Sequence, residues 1–268
     1  MYKLVVLDID GTLINSERKI TEETKKYIKI ANEKGVKFMI ASGRTPYGVL
    51  PIAKEIELEK MGGYILAFNG GCCINCEDMT TLYEEKINKE EIVEIYNFAK
   101  EKNVPMVTYN KDTLYTPNES TNYIELEARL NNLKLHKTEN FLEEVNFDFP
   151  KVLYLEEGEI LEKIEKETKE KFSNLTVFRS EPFFLEICPN NIHKATGIAK
   201  VLDILKIDVK DVIAIGDGYN DLTMIEFAGL GVAMGNAKDE LKKIANYVTG
   251  TNDEDGIVQV IKKFILEV

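Results

Sequence analysis

The chain has 268 residues, of which 44% are hydrophobic and 30% charged, and its formal net charge is -12. This length fits one large domain or two modest ones, with enough apolar material for sizeable cores. The acidic balance excludes a general nucleic-acid binder, which needs a basic face, and argues against binding to anionic membranes. No stretch approaches the roughly 20 apolar residues of a membrane helix, and the N-terminus does not resemble a signal peptide, so we expect a cytoplasmic protein.

The first part of the chain alternates between strand and helix patterns. Leu4–Leu7 is a continuous apolar run, typical of a strand that is buried on both faces of a parallel sheet. The next segments predict a helix, a strand, a helix and a strand, at 21–34, 36–41, 46–56 and 64–68. This order predicts an α/β fold with a doubly wound parallel sheet.

The middle of the chain has a different pattern. After a short predicted hairpin, 72–84, helical stretches are mixed with short strand candidates. The helices are predicted at 89–102, 119–130 and 158–171, and the strands at 105–109, 113–115, 151–155, 176–178 and 183–187. This mixture predicts an α+β module with a mostly antiparallel sheet.

From His193 onward the alternation of helices and strands returns. Helices are predicted at 194–205, 222–228, 239–246 and 257–266, and strands at 212–215, 231–233 and 247–248. We therefore predict one α/β core, residues 1–81 and 189–268, interrupted by an inserted α+β domain, residues 82–188.

Three of the four cysteines, Cys72, Cys73 and Cys76, lie close together. Cys73 and Cys76 have C-x-x-C spacing, but no second pair or nearby histidine completes a zinc site. We interpret them as small apolar side chains on a short strand in a reducing compartment, with a metal or redox role as the less favoured alternative.

Four polar segments fall at predicted strand ends or at the start of the following helix. They are residues 8–12, residues 42–44, Lys194 and residues 216–221. In an open parallel sheet, ligands bind beyond the carboxyl ends of the strands, so these segments are expected to meet at one edge of the sheet. Each segment alone is compatible with a simple turn or helix cap, but their convergence predicts a site.

The acidic residues of these segments form a candidate metal site. The proposed ligands are Asp8, Asp10, Asp217 and Asp221, with Asp221 binding through water or pairing with Lys194 instead. Because the set holds oxygen donors and lacks histidine and thiolate, it suits a hard cation such as Mg²⁺.

The same segments contain the parts that phosphoryl transfer requires. Asp8 is the candidate nucleophile, which would form an aspartyl phosphate. Asp10 is the candidate acid that protonates the leaving oxygen and then the base that deprotonates water. The phosphate is expected to contact the hydroxyl of Ser42, the backbone amides of Ile9, Asp10 and Gly43, and the side chains of Lys194 and Asn220.

The four segments resemble, in order, the four motifs of the haloacid dehalogenase-like (HAD) phosphatases. The sequence D-x-D-G-T after a buried strand, followed later by G-D-G-Y-N-D, is a specific signal. The resemblance implies a Rossmann-like core and a magnesium-dependent phosphatase that acts on small phosphorylated metabolites, such as sugar phosphates, nucleotides or phosphorylated cofactors.

The position of the insertion sharpens this resemblance. The long separation between Ser42 and Lys194 resembles the type 2 cap of the Cof-like subfamily. The resemblance implies that residues 82–188 form a cap that sets specificity. Candidate specificity residues in it are Asn118, Ser120, Thr121, Tyr123, Arg179, Ser180 and Glu181.

Two other functions stay open. A hexose phosphomutase would share the cap type and the D-x-D motif. A non-enzymatic, phosphate-responsive binding module would share the acidic residues and the lysine, but it would not need Asp10 as a waiting acid or a cap of this size. The sequence leaves the oligomeric state open.

Overall fold

The computed structural model describes residues 2–267, and the chain divides into two compact units. The first, the core unit, consists of Met1–Tyr83 and His193–Val268, and the second, the inserted unit, is Glu84–Ile192. The inserted unit thus begins two residues later and ends four residues later than the expected insertion, 82–188.

The strands and helices are numbered in chain order. The strands are β1 Leu4–Leu7, β2 Lys37–Ala41, β3 Tyr64–Ala67, β4 Cys72–Asn75, β5 Thr81–Glu84, β6 Met106–Asn110, β7 Thr113–Thr116, β8 Lys134–Lys137, β9 Val152–Leu155, β10 Thr176–Glu181, β11 Phe184–Cys188, β12 Val212–Gly216, β13 Leu230–Ala233 and β14 Tyr247–Val248. The helices are α1 Glu22–Glu33, α2 Pro46–Glu55, α3 Ile92–Lys102, α4 Asn122–Leu130, α5 Phe141–Glu144, α6 Gly158–Lys171, α7 Lys194–Leu205, α8 Leu222–Phe227, α9 Asp239–Ile244 and α10 Gly256–Ile261, the last followed by a π-helical turn, Lys262–Leu266.

The larger sheet explains where the polar strand ends meet. Within residues 2–267 it has eight strands in the order β14-β13-β12-β1-β2-β3-β4-β5. Neighbours from β14 to β3 pair in parallel, and β4 pairs antiparallel with β3. The predicted doubly wound parallel sheet is confirmed. Because β1 has β2 on one side and β12 on the other, the strand order reverses at β1, the place where such sheets form a ligand crevice.

Strand β1 is the centre of this sheet because its side chains are apolar on both faces. All four residues of Leu4–Leu7 are fully buried. Helix α1 begins after Thr21, whose side chain accepts a hydrogen bond from the Thr24 amide, and it buries Ile28 and Ala31. A leucine or valine side chain contributes about 1.5–3 kcal/mol when it is fully removed from water. The burial of all four residues of Leu4–Leu7 therefore fixes β1 in the core.

The inserted unit has its own sheet and hydrophobic cluster. The six strands of its described sheet lie in the order β10-β11-β9-β6-β7-β8, and all neighbours are antiparallel except the parallel pair β7 and β8. Alternate residues such as Val152, Tyr154 and Leu185 enter the cluster. On the opposite sheet face, Lys151 and Glu186 form a buried ion pair with 3.1 Å between Nζ and Oε2.

Some element boundaries differ from the sequence expectations. Helix α4 begins at Asn122 rather than at 119, because the Thr121 side chain caps it by accepting from the Ile124 amide. Strand β8 was not predicted, because all four of its residues are exposed and three of them are polar, so the strand has no apolar pattern. Among the described residues, no helix combines the length and the apolar character needed to cross a membrane.

Candidate active site

Three strand ends and one helix start bring the predicted site residues together. Asp8 follows β1 and its amide donates to the Ile215 carbonyl at 3.1 Å, which ties it to β12. Ser42 follows β2, and its amide donates to the Leu66 carbonyl at 2.9 Å. Asp217 follows β12 directly. The parallel register therefore places these residues along one edge of the core sheet.

Lys194, the first residue of α7, connects the nucleophile candidate to the acidic loop. Its Nζ donates to Asp8 Oδ1 and to Asp221 Oδ1, both at 2.5 Å, and its side chain is fully buried. The preceding His193 caps α7 by accepting from the Thr196 amide, which fixes the start of the helix. Burial alone would lower the pKa of Lys194, but the carboxylates of Asp221 and Asp8 raise it above its ordinary value, so the ammonium stays charged.

Asp8, Asp217 and Asp221 form the candidate metal centre. One carboxylate oxygen of each lies within 4.8 Å of the others. Asp221 Oδ2 accepts from the backbone amides of Asp217 and Gly218 at 2.9 Å each. Asp217 Oδ1 accepts from the Thr12 hydroxyl at 2.9 Å. These neighbours fix the direction in which two of the three carboxylates point.

The charges of this cluster favour the binding of a cation. Burial, and then the nearby Asp221 charge, raise the pKa of Asp8 to about 8 despite Lys194. Burial also raises the pKa of Asp217 to about 6, against the effect of the Thr12 hydrogen bond. The raised pKa values mean that the charged forms of Asp8 and Asp217 are disfavoured in this buried place, and a bound cation would stabilise them. Because all donors are carboxylate oxygens, the residues fit a hard divalent ion.

Asp10 lies outside this carboxylate cluster. Its side chain is 61% exposed, and both of its carboxylate oxygens accept hydrogen bonds from Arg44. The Asp10 side chain, which was predicted to bind the metal together with Asp8 and Asp217, is not among the three carboxylates that lie within 4.8 Å of one another. The physical reason is local: after Asp8 the chain leaves the strand and enters a turn that includes Gly11, whose φ is 82°, and Arg44 holds the Asp10 carboxylate on the exposed side of this turn.

The phosphate-binding candidates gather at the ends of β2, β3 and β12. Ser42 is buried, and its Oγ accepts from the Arg44 amide at 3.2 Å. Gly43 lies against Asn69, because a Cβ on Gly43 would stand 3.0 Å from Asn69 Nδ2. Asn220 Nδ2 donates to Asn69 Oδ1 at 3.3 Å. The Ile9 side chain is fully buried, so only its backbone can contribute to the site.

Three residues of this region were given no role from the sequence. Thr12 supports Asp217, Arg44 holds Asp10, and Asn69 lies between Gly43 and Asn220. Thr12 and Arg44 stand inside segments that the sequence already marked, residues 8–12 and 42–44, whereas Asn69 lies in the turn after β3, outside the marked segments. The signal for Thr12 and Arg44 was their position within these segments, but the partners of all three residues lie too far away in sequence to be assigned from it.

The comparisons with known proteins agree with this fold. The profile of the family described as haloacid dehalogenase-like hydrolase matches residues 5–261. The chain belongs to this family, and the Cof-like resemblance is confirmed. It is an enzyme of the phosphatase class.

Individual relatives cover nearly the whole chain. A crystal structure of a haloacid dehalogenase-like hydrolase from Bacteroides thetaiotaomicron is 40% identical, with a TM-score of 0.92 over 98% of this chain and 99% of that one. The 5-amino-6-(5-phospho-D-ribitylamino)uracil phosphatase YcsE of Bacillus subtilis is 30% identical over 98% of this chain and 96% of its own length. The structure of the HAD subclass IIB sugar phosphatase BT4131 is 28% identical, with a TM-score of 0.81 over 98% of each chain.

Proposed function

We propose that this protein is a magnesium-dependent phosphatase of small phosphorylated metabolites that works through an aspartyl phosphate at Asp8. One observation carries the proposal: Asp8 lies at the end of the central strand, paired with the ammonium of Lys194 and within 4.8 Å of the carboxylates of Asp217 and Asp221. This arrangement pairs a nucleophile with the charge neutralisation on which phosphoryl transfer mainly depends.

The first step is the attack of an Asp8 oxygen on phosphorus. Lys194 holds Oδ1 of Asp8 at 2.5 Å, and the other oxygen is the proposed attacking atom. As the new O–P bond forms, the bond to the leaving oxygen breaks, and that oxygen takes a proton from Asp10. Phosphoryl oxygens are held by Ser42 and Gly43 from one side and by Asn220 from another.

The second step returns the enzyme to its starting state. A water molecule gives its proton to Asp10 and attacks phosphorus, and the bond between phosphorus and Asp8 breaks. Asp8, Asp217 and Asp221 would hold Mg²⁺, whose chemistry is to neutralise charge on the phosphoryl oxygens. Inorganic phosphate and free Asp8 are the products.

The substrates are proposed to be phosphate monoesters of sugars, sugar alcohols or related small metabolites. YcsE is named for a phosphorylated ribitylamino compound, and BT4131 is a sugar phosphatase. The inserted unit, proposed as the cap, would supply the residues that recognise the part of the substrate beyond the phosphate. Nucleotides and phosphorylated cofactors belong in the same substrate panel.

The test is phosphate release by the purified protein from a panel of phosphorylated metabolites and from p-nitrophenyl phosphate, with Mg²⁺ or with EDTA. We expect release with Mg²⁺ and its loss in Asp8→Asn. The exposed Asp203 lies on α7, so Asp203→Asn is a matched control with the same chemical change. Undiminished release by Asp8→Asn would reject Asp8 as the nucleophile.

The same purified protein is used to test for the two alternative functions. Conversion between hexose 1- and 6-phosphates in the presence of a bisphosphate, with little free phosphate, would identify a phosphomutase. A stable phosphorylated protein without turnover would identify a phosphate-responsive binding module.

A further inference from the structure

Arg44 makes a forked contact with the proposed acid–base residue, Asp10. Arg44 Nη2 donates to Asp10 Oδ1 at 2.6 Å and to Oδ2 at 2.8 Å, and Nε donates to Oδ2 at 3.1 Å. The guanidinium is planar, so this contact fixes both the direction and the plane of the carboxylate. A carboxylate that is 61% exposed would otherwise be free to change rotamer.

The backbone of Arg44 is itself held from two sides. Its amide donates to Ser42 Oγ at 3.2 Å, and its carbonyl accepts from the Phe68 amide at 3.0 Å. Phe68 begins the turn after β3, in which Phe68, Asn69 and Gly70 all have positive φ angles. Arg44 is thus anchored at the ends of β2 and β3 while its side chain reaches the loop after β1.

The geometry leaves room for chemistry at Asp10. A carboxylate offers about four lone-pair positions to donors, and the three hydrogen bonds from Arg44 occupy three of them. The remaining position can carry the proton that passes to the leaving oxygen. The N–H groups of Arg44 stay donors throughout and transfer no proton, because the guanidinium does not deprotonate in proteins.

We propose that Arg44 is a positioning residue that holds Asp10 in the orientation needed for proton transfer to the leaving group. This inference rests on the proposed function, in which Asp10 is the general acid. Arg44 acts on the chemical step through Asp10, and this role differs from a role in phosphate binding or in folding. An exposed ion pair contributes only about 0–1 kcal/mol to stability, so a stability measurement does not decide the matter.

The deciding measurement is how the loss of kcat/KM in Arg44→Gln depends on the leaving group of the substrate. The value of kcat/KM, which includes the departure of the leaving group, is measured for Arg44→Gln on p-nitrophenyl phosphate and on a hexose 6-phosphate. The nitrophenolate leaves readily, whereas a sugar hydroxyl must be protonated as it leaves. We expect the loss on the hexose 6-phosphate to exceed the loss on p-nitrophenyl phosphate by about tenfold or more, within the range that acid–base catalysis supplies.

The control is Arg18→Gln, which makes the same change at an exposed arginine on the surface. It is expected to leave both kcat/KM values within twofold of the wild type, in line with about 0.5 kcal/mol or less for a surface substitution. Equal losses on both esters in Arg44→Gln would overturn the inference, because they would indicate a role in binding the shared phosphate or in folding.

A double-mutant cycle with Asp10→Asn tests whether Arg44 acts through Asp10. We expect Arg44→Gln to cause no further loss on the hexose 6-phosphate once Asp10 is replaced, since its partner is then gone. Losses that multiply would overturn the inference and show an independent role. A wild-type protein that hydrolyses neither ester would overturn the proposed function itself, and this inference with it.

Discussion

Lys194 Nζ lies 2.5 Å from Asp8 Oδ1, although 186 positions separate the two residues in the sequence. The same ammonium lies 2.5 Å from Asp221 Oδ1. The lysine thus joins the segment before the inserted unit to the acidic loop after it, and it balances part of a buried negative charge.

Replacing Lys194 with methionine keeps most of the apolar stem and removes the ammonium. Asp8 and Asp221 then face each other without their partner, and we expect the free energy of unfolding to fall by about 3–5 kcal/mol in EDTA. The loss should be smaller with Mg²⁺, because the bound cation would replace the missing positive charge. Urea denaturation of Lys194→Met, with exposed Lys29→Met as control, measures both. An equal loss in both buffers would contradict a shared role with the metal.

Gly11→Ala is expected to disturb the metal centre. A Cβ at Gly11 would stand 2.3 Å from Asp217 Oδ2, so Asp217 would have to move away from Asp8 and Asp221. Gly35 provides the matched control, because its φ is also positive, 90°, but nothing lies within 4 Å of its added Cβ. Both variants carry the backbone cost of about 1–2 kcal/mol for an L-residue in a left-handed conformation, but only Gly11→Ala should weaken Mg²⁺ binding, by about tenfold or more.

That comparison is made by titrating thermal stability against Mg²⁺ concentration. If Gly35→Ala lost as much metal affinity as Gly11→Ala, the effect would come from backbone strain and not from displacement of Asp217.

The high pKa of Asp8 predicts how the metal-free protein responds to pH. Burial and the Asp221 charge raise this pKa from 3.8 to about 8, so the native Asp8 keeps a proton that the unfolded chain releases. Unfolding therefore releases a proton between these values, and the contribution of Asp8 to the unfolding free energy becomes less favourable as the pH rises from about 4 to 8. The difference between wild type and Asp8→Asn, followed by urea denaturation in EDTA, isolates this contribution. A difference that is constant with pH would contradict the raised pKa.

The buried ion pair of the inserted unit predicts a different result for single and double replacements. Both side chains of Lys151 and Glu186 are only 4% exposed. Lys151→Met leaves the Glu186 carboxylate without its cationic partner, with only the weak thiol donor of Cys188 beside it, and should cost about 3–5 kcal/mol. Removing both charges, in Lys151→Met with Glu186→Leu, should recover most of that loss. Chemical denaturation measures the two variants, and a double variant as unstable as the single one would contradict the explanation.

The architecture was predictable where burial dictates the sequence. Strand β1 lies between two other parallel strands, so each of its side chains must be apolar, and Leu4–Leu7 shows this directly. Helix α1 follows from Thr21 and the apolar spacing after it. Strand β8 carries no such signal, because an exposed edge strand is held by backbone hydrogen bonds to β7 and its side chains have no periodic burial.

The candidate site was predictable to the extent that strand topology places it. Asp8, Asp217 and Asp221 were expected to meet because parallel strands end at one edge, and the structure brings their carboxylates together. The place of Asp10 was not predictable in this way. It depends on a turn through Gly11 and on the reach of Arg44 from a neighbouring strand end.

Residues of the inserted unit show more clearly that sequence alone does not assign the role of a polar side chain. Thr121 and Arg179 were candidates for substrate contact, yet the Thr121 side chain caps α4 and Arg179 donates to Glu165 at 2.8 Å. Polar residues in a domain of this kind serve its own fold as well as any ligand, and sequence alone does not separate the two uses.

The interruption of the core sheet has a consequence for synthesis of the protein on the ribosome. Strand β1 emerges first, but its neighbour β12, together with Lys194 and Asp217, is translated only after the whole inserted unit. Until then the nascent chain shows one unpaired apolar edge of β1, which is a hazard for aggregation, whereas the inserted unit already contains its own sheet and cluster. A ribosome that stalls before Val212 would therefore release a chain with a nucleophile but no working centre, and such a product would be a natural target for chaperones and proteases.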